Sequence, residues 1–452
     1  ISYTSGTTAD PKGILLTHRN YTANVEQAHS VIGVEPEDKM LIILPLDHCF
    51  AHVAGFYTMM SYGASFGTVP SGKSGKEALR NISPSIQEFK PSVMLSVPTL
   101  AKNFKKSIET TIAKKGKTVE KLYNFALKNA IAYNKEGYNK GTQFVDIFRK
   151  PLMLLFDKLI FKAVRQGLGG NMKFFVGGGA LLDSDLQMYY YATGVPMYQG
   201  DGLSEATPII SANSPARHIF GSSGKIVSPM EIKILDADGV EQPFGVKGEI
   251  CIKGENVMAG YWKNPKSTAD TIVDGWLHTG DMGYMRDEEM LYVVGRFKSL
   301  LIAADGEKYS PEGIEENLVE SSRYIDGALL HNSQDPYTIA LITPNKEALK
   351  AYAKELGLDP STKEAKVKML ELLQDEVNMY RKGGRMSGAF PERWLPAAVC
   401  VLPEPWTEQN HFLNSSMKVV RGRVEEAYKA NMEFAYTPEG KNIVNDMNLA
   451  SL

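Results

Sequence analysis

Short, unbroken apolar runs followed by longer helical patterns fill the first 214 residues of the chain. Residues 38–45 (Asp-Lys-Met-Leu-Ile-Ile-Leu-Pro) and 172–179 (Met-Lys-Phe-Phe-Val-Gly-Gly-Gly) are such runs, and residues 14–35 and 91–104 each read as a strand and then a helix. Runs that are apolar on both faces suit strands of a parallel sheet whose crossovers are helices. A lysine-rich helical stretch follows at 105–168 and ends in Gly167-Leu168-Gly169-Gly170. From 215 to 294 the rhythm changes to short alternating segments broken by turns, as at 230–235, 236–239 and 248–254. That spacing predicts an all-β part, a small barrel or sandwich. Beyond it, a charged helical stretch at 346–385 precedes an apolar strand at 394–403, the texture of a smaller α+β domain.

Within the helical stretch, residues 144–164 alternate apolar groups with bases. An interfacial membrane helix and an amphipathic core helix both fit, and the acidic residues interrupting the polar face favour the core helix. With 452 residues, 43% hydrophobic and 23% charged, the chain has the composition of a globular protein of two or three domains. Its net charge of −2 supplies no electrostatic case for nucleic acid. Cys49, Cys251 and Cys400 show no metal-ligand spacing and read as buried small hydrophobes in a reducing compartment. No apolar run approaches the roughly 20 residues of a membrane span.

The richest chemistry stands at the start, in Tyr3-Thr4-Ser5-Gly6-Thr7-Thr8-Ala9-Asp10-Pro11-Lys12-Gly13. Glycines let backbone N–H groups approach an anion, and hydroxyls and a lysine add donors for phosphate oxygens. The loop feeds a predicted helix, whose N-terminus also favours anions. It is not the Gly-x-x-x-x-Gly-Lys-Ser/Thr loop of kinases, because the second glycine and the terminal hydroxyl are absent. Four other stretches carry candidate chemistry: Gly177-Gly178-Gly179-Ala180 at a strand end, Tyr198-Gln199-Gly200-Asp201-Gly202-Leu203-Ser204-Glu205, Thr279-Gly280-Asp281, and Gly295-Arg296-Phe297-Lys298. Taken alone, Thr-Gly-Asp is a common turn and His48, beside aromatics, is more often a structural histidine.

In this order the stretches resemble the adenylate-forming enzymes, the superfamily of acyl-CoA synthetases, luciferases and peptide-synthetase adenylation domains. The opening loop is similar to their Tyr-Thr-Ser-Gly-Thr-Thr-Gly-x-Pro-Lys-Gly signature, with Ala9 in place of a glycine, and 198–205 is similar to their Gly-Tyr-Gly-x-Thr-Glu. The end of the chain, Leu413-Asn414-Ser415-Ser416-Met417-Lys418, is nearer the long-chain fatty acyl branch. The resemblance implies a large N-terminal domain of flavodoxin-like βα sheet plus small β-barrel, here 1–214 and 215–294. A hinge at 295–299 and a mobile α+β domain at 300–452 complete it. It also implies that roughly 150–200 residues of the family's large domain, about one domain-sized unit, precede residue 1.

The site residues follow from the same resemblance. Lys418, Glu205 and Thr4 are the expected catalytic residues, with Glu205 as the Mg²⁺ ligand. Thr4, Ser5, Gly6, Thr7, Thr8 and Lys12 would cradle phosphate. Gly178, Gly179 and Ala180, with Tyr198, Gly200, Asp201, Gly202 and Ser204, would surround the adenine, and Asp281 would hold the ribose. Asp201 stands where a tyrosine usually stacks on the base. Arg296 would lie near the nucleotide, Lys298 at the hinge, Gly306 in the loop that enters for thioester formation, and His48 on the acyl pocket.

The expected function is activation of a fatty acid, of the long-chain class, with ATP, Mg²⁺ and coenzyme A. Acyl-adenylate forms first and acyl-CoA second, releasing pyrophosphate and AMP. Transfer to a carrier protein stays open as an alternative, as does a binding-only or inactive homologue, toward which Ala9 and Asp201 lean. Residues 1–452 by themselves are expected to turn over weakly or not at all. The expected location is cytoplasmic, with weak peripheral membrane association as the variant.

Overall fold

The computed structural model describes residues 1–3, 12–70, 75–135, 137, 144–296, 300–413 and 419–452. They form two compact units, one of Ile1–Tyr3 with the described residues of Gly13–Val294, the other of Lys12 with the described residues of Gly295–Leu452.

The first unit is built on one long mixed sheet. Five parallel strands stand in the order Ser65–Thr68, Lys39–Ile42, Val93–Ser96, Phe174–Gly177 and Met197–Gly202. The two central strands, Val93–Ser96 and Phe174–Gly177, are buried at every residue, as the unbroken apolar runs predict. Alternate side chains serve opposite layers. Met94 and Phe175 pack with helices Pro98–Ala113, Lys117–Asn134 and Ser184–Ala192 on one face. Val93, Leu95, Phe174 and Val176 pack with Ala28, Ala51 and Ala54 on the other.

The expected barrel is not formed. Ile209–Ala212, Gly224–Ile226, Met290–Arg296, Trp276–Met285, Gly248–Lys253 and Glu231–Leu235 continue the same sheet in that order, and no pairing among the described residues joins its ends. Alternation reports that one strand face is covered, not that a sheet closes on itself. Trp276–Met285 shows it most regularly, half-buried and buried in turn over ten residues.

The stretch at 144–164 departs from the core-helix reading on one side. Phe156 and Phe161 are buried, with Leu152, Met153 and Ile160 against the same cluster. Phe144, Ile147, Phe148, Leu154, Leu155 and Leu159 stand exposed on Asp146–Phe156 and its flanks. None of the described helices is long and apolar enough to cross a membrane.

In the second unit a three-stranded sheet, Ile325–His331, Ile339–Pro344 and Ala398–Val401, carries a core on each face. Helix Glu312–Ser321 is tied to helix Arg421–Ala427 by a largely buried ion pair, Arg421 to Glu315 at 2.6 Å. Burial raises the Glu315 carboxyl above its ordinary range, and the Arg421 guanidinium opposes that shift. Arg421 also donates to the Leu330 carbonyl at 2.6 Å, and Glu315 accepts the Leu330 N–H at 2.5 Å. Removing one partner strands a buried charge. Arg421→Ala should therefore cost about 3 kcal/mol, read by denaturant unfolding of the second unit's helices, whereas a loss under 1 kcal/mol would make the pair incidental.

All three thiols are free and buried. Burial raises Cys251 from 9.0 to about 12 and Cys400 from 9.0 to about 12. Burial likewise raises Tyr123 to about 12, and lifts Tyr189, Tyr190 and Tyr198. These groups bind protons more tightly folded than unfolded, so their contribution is full below pH 9 and is lost as pH rises toward 12. Stability measured by urea titration should be flat to about pH 9 with respect to these groups and then fall. A rise over that window would contradict the assignment.

Candidate functional site

Two glycine-bearing strand ends meet in the first unit. Phe174–Gly177 runs into Gly178 and Gly179, and its parallel neighbour Met197–Gly202 ends in Gly200, Asp201 and Gly202. These residues line a cavity of about 40 Å³ with His48, Phe50, Ala54, Ile209 and Ser211. The glycines are there for space: a Cβ on Gly178 would stand 3.0 Å from the Phe50 ring, and one on Gly202 would stand 2.0 Å from the Pro208 carbonyl oxygen. Met197–Gly202 has its two neighbours on opposite edges. Its residues 197–199 pair in parallel with Phe175, Val176 and Gly177, whereas 200–202 pair antiparallel with Ile209–Ala212, through an irregularity between Asp201 and Gly202.

His48 precedes a π-helical segment, Phe50–Tyr57, and accepts the Phe50 N–H at its Nδ1, 3.2 Å away. Segments of this kind are frequent at functional sites. Gln199 clamps the loop beyond the glycines, with Oε1 accepting the Leu182 N–H at 2.9 Å and Nε2 donating to the Ala180 carbonyl at 3.3 Å. Tyr198 does not join the pocket lining. It is 6% exposed and packs against Phe174 and His218, with ring centroids 5.7 and 5.3 Å away. The ring that faces the glycines is Phe50, which the motif pattern did not single out.

Past the pocket the chain makes a short turn, Ser204–Ala206, that presents Glu205. Its Oε1 accepts from the Tyr261 hydroxyl at 2.8 Å, and its carbonyl accepts the Met258 N–H at 2.8 Å. Behind it, buried Asn256 donates to the Ala206 carbonyl at 2.9 Å and its own carbonyl accepts from Thr207 Oγ1 at 2.6 Å. Residues far along the chain thus fix this carboxylate, and only their packing reveals it. Cys49 donates to Ser2 Oγ at 3.4 Å. Burial raises the Cys49 thiol, while Ser2 and Ser204 beside it act in the opposite sense. A carboxylate beside a hydroxyl is an all-oxygen donor set and suits Mg²⁺ accompanying phosphates.

Asp281 lies on Trp276–Met285, the fourth strand along from Met197–Gly202 in the sheet. It is 8% exposed, and its N–H donates to Thr279 Oγ1 at 3.1 Å. Gly280, at φ 72°, donates its N–H to Glu249 Oε1 at 3.1 Å.

Exposed Arg296 is the last residue of Met290–Arg296, and in the second unit Gly306, at φ 84°, turns the hairpin of Leu301–Ile302 and Lys308–Tyr309. Lys12 is half-buried beside the start of Gly13–Leu15 in sequence. Thr4, Ser5, Gly6, Thr7, Thr8, Ala9, Lys298 and Lys418 lie outside the described residues. Leu413 and Val419, on either side of the last of these, form a β-bridge.

The profile of the AMP-binding enzyme family matches residues 1–262, more than half of the chain, and the chain belongs to that family. Among curated relatives, it is 27% identical over 447 residues to the long-chain-fatty-acid–CoA ligase FadD15 of Mycobacterium bovis, covering 97% of this chain and 69% of that protein. It is 29% identical to long-chain-fatty-acid–CoA ligase 5 of Rattus norvegicus, covering 96% of this chain and 62% of that protein. Among solved structures, o-succinylbenzoate CoA synthetase (MenE) of Bacillus subtilis in complex with its acyl-adenylate intermediate superposes with a TM-score of 0.61 at 21% identity, over 94% of this chain and 68% of that one. At that identity the likeness establishes the fold alone, a mixed α/β architecture.

Proposed function

We propose that this chain carries the adenylating machinery of a fatty acid:CoA ligase, with a long-chain acid as substrate. A carboxylate oxygen of the acid attacks the α-phosphorus of ATP and pyrophosphate leaves. The thiol sulfur of coenzyme A then attacks the acyl carbon, its proton is lost, and AMP leaves. The observation that carries the reading is the strand Met197–Gly202, which ends in a glycine-lined pocket and turns directly into a hydrogen-bonded Glu205. The names of the curated relatives supply the acyl class.

In this reading Gly178, Gly179, Gly200 and Gly202 let the nucleotide lie against backbone, with the Phe50 ring beside them. Glu205 would hold Mg²⁺, which when bound neutralises developing phosphate charge. Tyr261 restricts the carboxylate so that little reorientation is needed when charge develops. Asp281 takes the ribose hydroxyls and His48 borders the acyl group. Thr4, Ser5, Thr7, Thr8 and Lys12 cradle the phosphates, and Lys418 meets the transferring group. Lys298 is the hinge, with Arg296 near the nucleotide and Gly306 on the thioester loop. The domain bounds 1–214, 215–294, 295–299 and 300–452 belong to this proposal.

Fatty-acid-dependent release of pyrophosphate from ATP by the intact protein tests it. Release should rise with added long-chain acid, and Glu205→Gln should reduce it by about a hundredfold or more, as loss of a metal carboxylate does. Absence of release with ATP still bound would establish a binding-only homologue, the reading that the Asp201 carboxylate on the pocket wall favours. Substitution of that residue gives an independent check. Asp201→Tyr adds a ring worth about 1 kcal/mol and removes a negative charge. The KM for ATP should fall about fivefold with kcat little changed, and an unchanged or higher KM would place the base elsewhere.

A further inference from the structure

Cys251 lies in the first unit with two other metal-binding side chains whose spacing in the sequence gives no hint of it. Glu249 and Cys251 are two residues apart on Gly248–Lys253, and His278 stands opposite Cys251 on the neighbouring strand Trp276–Met285. The register slips between Glu249 and Cys251, where Thr279, Gly280 and Asp281 bulge from the facing strand. A bulge re-aims side chains, and here it brings the Glu249 carboxylate to the His278 ring.

His278 Nδ1 stands 2.9 Å from Glu249 Oε2 and 3.4 Å from Cys251 Sγ. The three ligand atoms all lie within 4.8 Å of one another, the one such group among the described residues. A tetrahedral zinc shell, with bonds of about 2.3 Å to sulfur and 2.0–2.1 Å to nitrogen and oxygen, has ligand–ligand edges of about 3.3–3.6 Å. The sulfur–nitrogen distance is within about 0.2 Å of that, and the nitrogen–oxygen distance is about 0.4 Å shorter, as a direct hydrogen bond is before a metal parts the pair. The Glu249–His278 hydrogen bond is a sufficient structural contact by itself. What it leaves unexplained is a thiol sulfur converging on the same nitrogen. Cys251 is fully buried, while the His278 and Glu249 side chains are 28% and 19% exposed, so the group is closed on the sulfur side and open toward solvent.

We propose that Glu249, Cys251 and His278 form a three-ligand site for a thiophilic divalent cation of the zinc class, with a fourth position open to water. Thiolate and imidazole select such an ion over Mg²⁺, so the site is chemically distinct from the oxygen donors at Glu205. Lys233, opposite Cys251 on Glu231–Leu235, has its ammonium over the Trp276 ring at 4.2 Å and weakens the attraction for a cation. Capture of the metal expels the Cys251 proton, so binding strengthens as pH rises.

Cobalt(II) titration of the purified chain tests the proposal, because a thiolate ligand produces a near-ultraviolet charge-transfer band and a tetrahedral shell intense visible bands. One equivalent of Co²⁺ should produce both, and Zn²⁺ should bleach them. Cys251→Ser should abolish the charge-transfer band, and Glu249→Gln, which keeps the thiol and most of the local packing, should weaken binding by about tenfold or more. Cys49→Ser and Cys400→Ala should leave the band intact, since their thiols face Ser2 and the Asn431 carbonyl. No band in the wild-type chain overturns the site, as does a band that survives Cys251→Ser. Circular dichroism in chelator identifies a variant that has not folded, and Glu249→Gln then decides.

Discussion

The first unit depends on a single strand that pairs in two ways. Over 197–199 Met197–Gly202 accepts a parallel neighbour, and over 200–202 it accepts an antiparallel one. The two neighbours lie on opposite edges of the strand, and the register irregularity, between Asp201 and Gly202, falls within the antiparallel pairing. Gly200 and Gly202 absorb it, because the backbone opposite comes too close for a side chain at Gly202. The glycine-lined pocket stands beside this irregularity at the carboxyl ends of the parallel strands, where open α/β sheets leave a crevice. The next turn delivers Glu205. Pocket and carboxylate therefore both stand at the end of this one strand.

The same device recurs farther along the sheet. Where Gly248–Lys253 meets Trp276–Met285 the register slips, Gly280 takes a left-handed conformation, and the Glu249 carboxylate takes up the Gly280 N–H. Asp281, on the buried face of its strand, stands within that bulge, and Glu249 and Cys251 flank it with His278 opposite Cys251. Irregularities in a regular sheet are where backbone groups become available, and both clusters of chemistry in this unit sit on one.

Much of this was legible from residues alone. Unbroken apolar runs at 39–42, 93–96 and 174–177 announce strands covered on both faces, and the glycines after 177 announce a close backbone approach. Alternating segments at 230–235 and 248–254 announced strands, but period carries no information on closure, so a small barrel or sandwich was expected where the sheet simply continues. The mixed apolar and basic stretch at 144–164 reads as a core helix because sequence does not say which side a neighbour covers. Phe50 was invisible behind Tyr198, since a motif places an aromatic residue in order but not in direction. Tyr261 reaches Glu205 and Asn256 reaches the Ala206 carbonyl beside it across about fifty residues of chain, and Cys251 meets His278 across a strand pair, which no spacing rule along the chain detects.

The most direct test of the central claim is a crystal structure of the intact protein with a non-hydrolysable ATP analogue and Mg²⁺. The account predicts the base against Gly178, Gly179 and Gly200 beside Phe50, and the metal on Glu205 with the Tyr261 hydroxyl still on that carboxylate. A nucleotide bound away from the end of Met197–Gly202, or a metal that ignores Glu205, would contradict it.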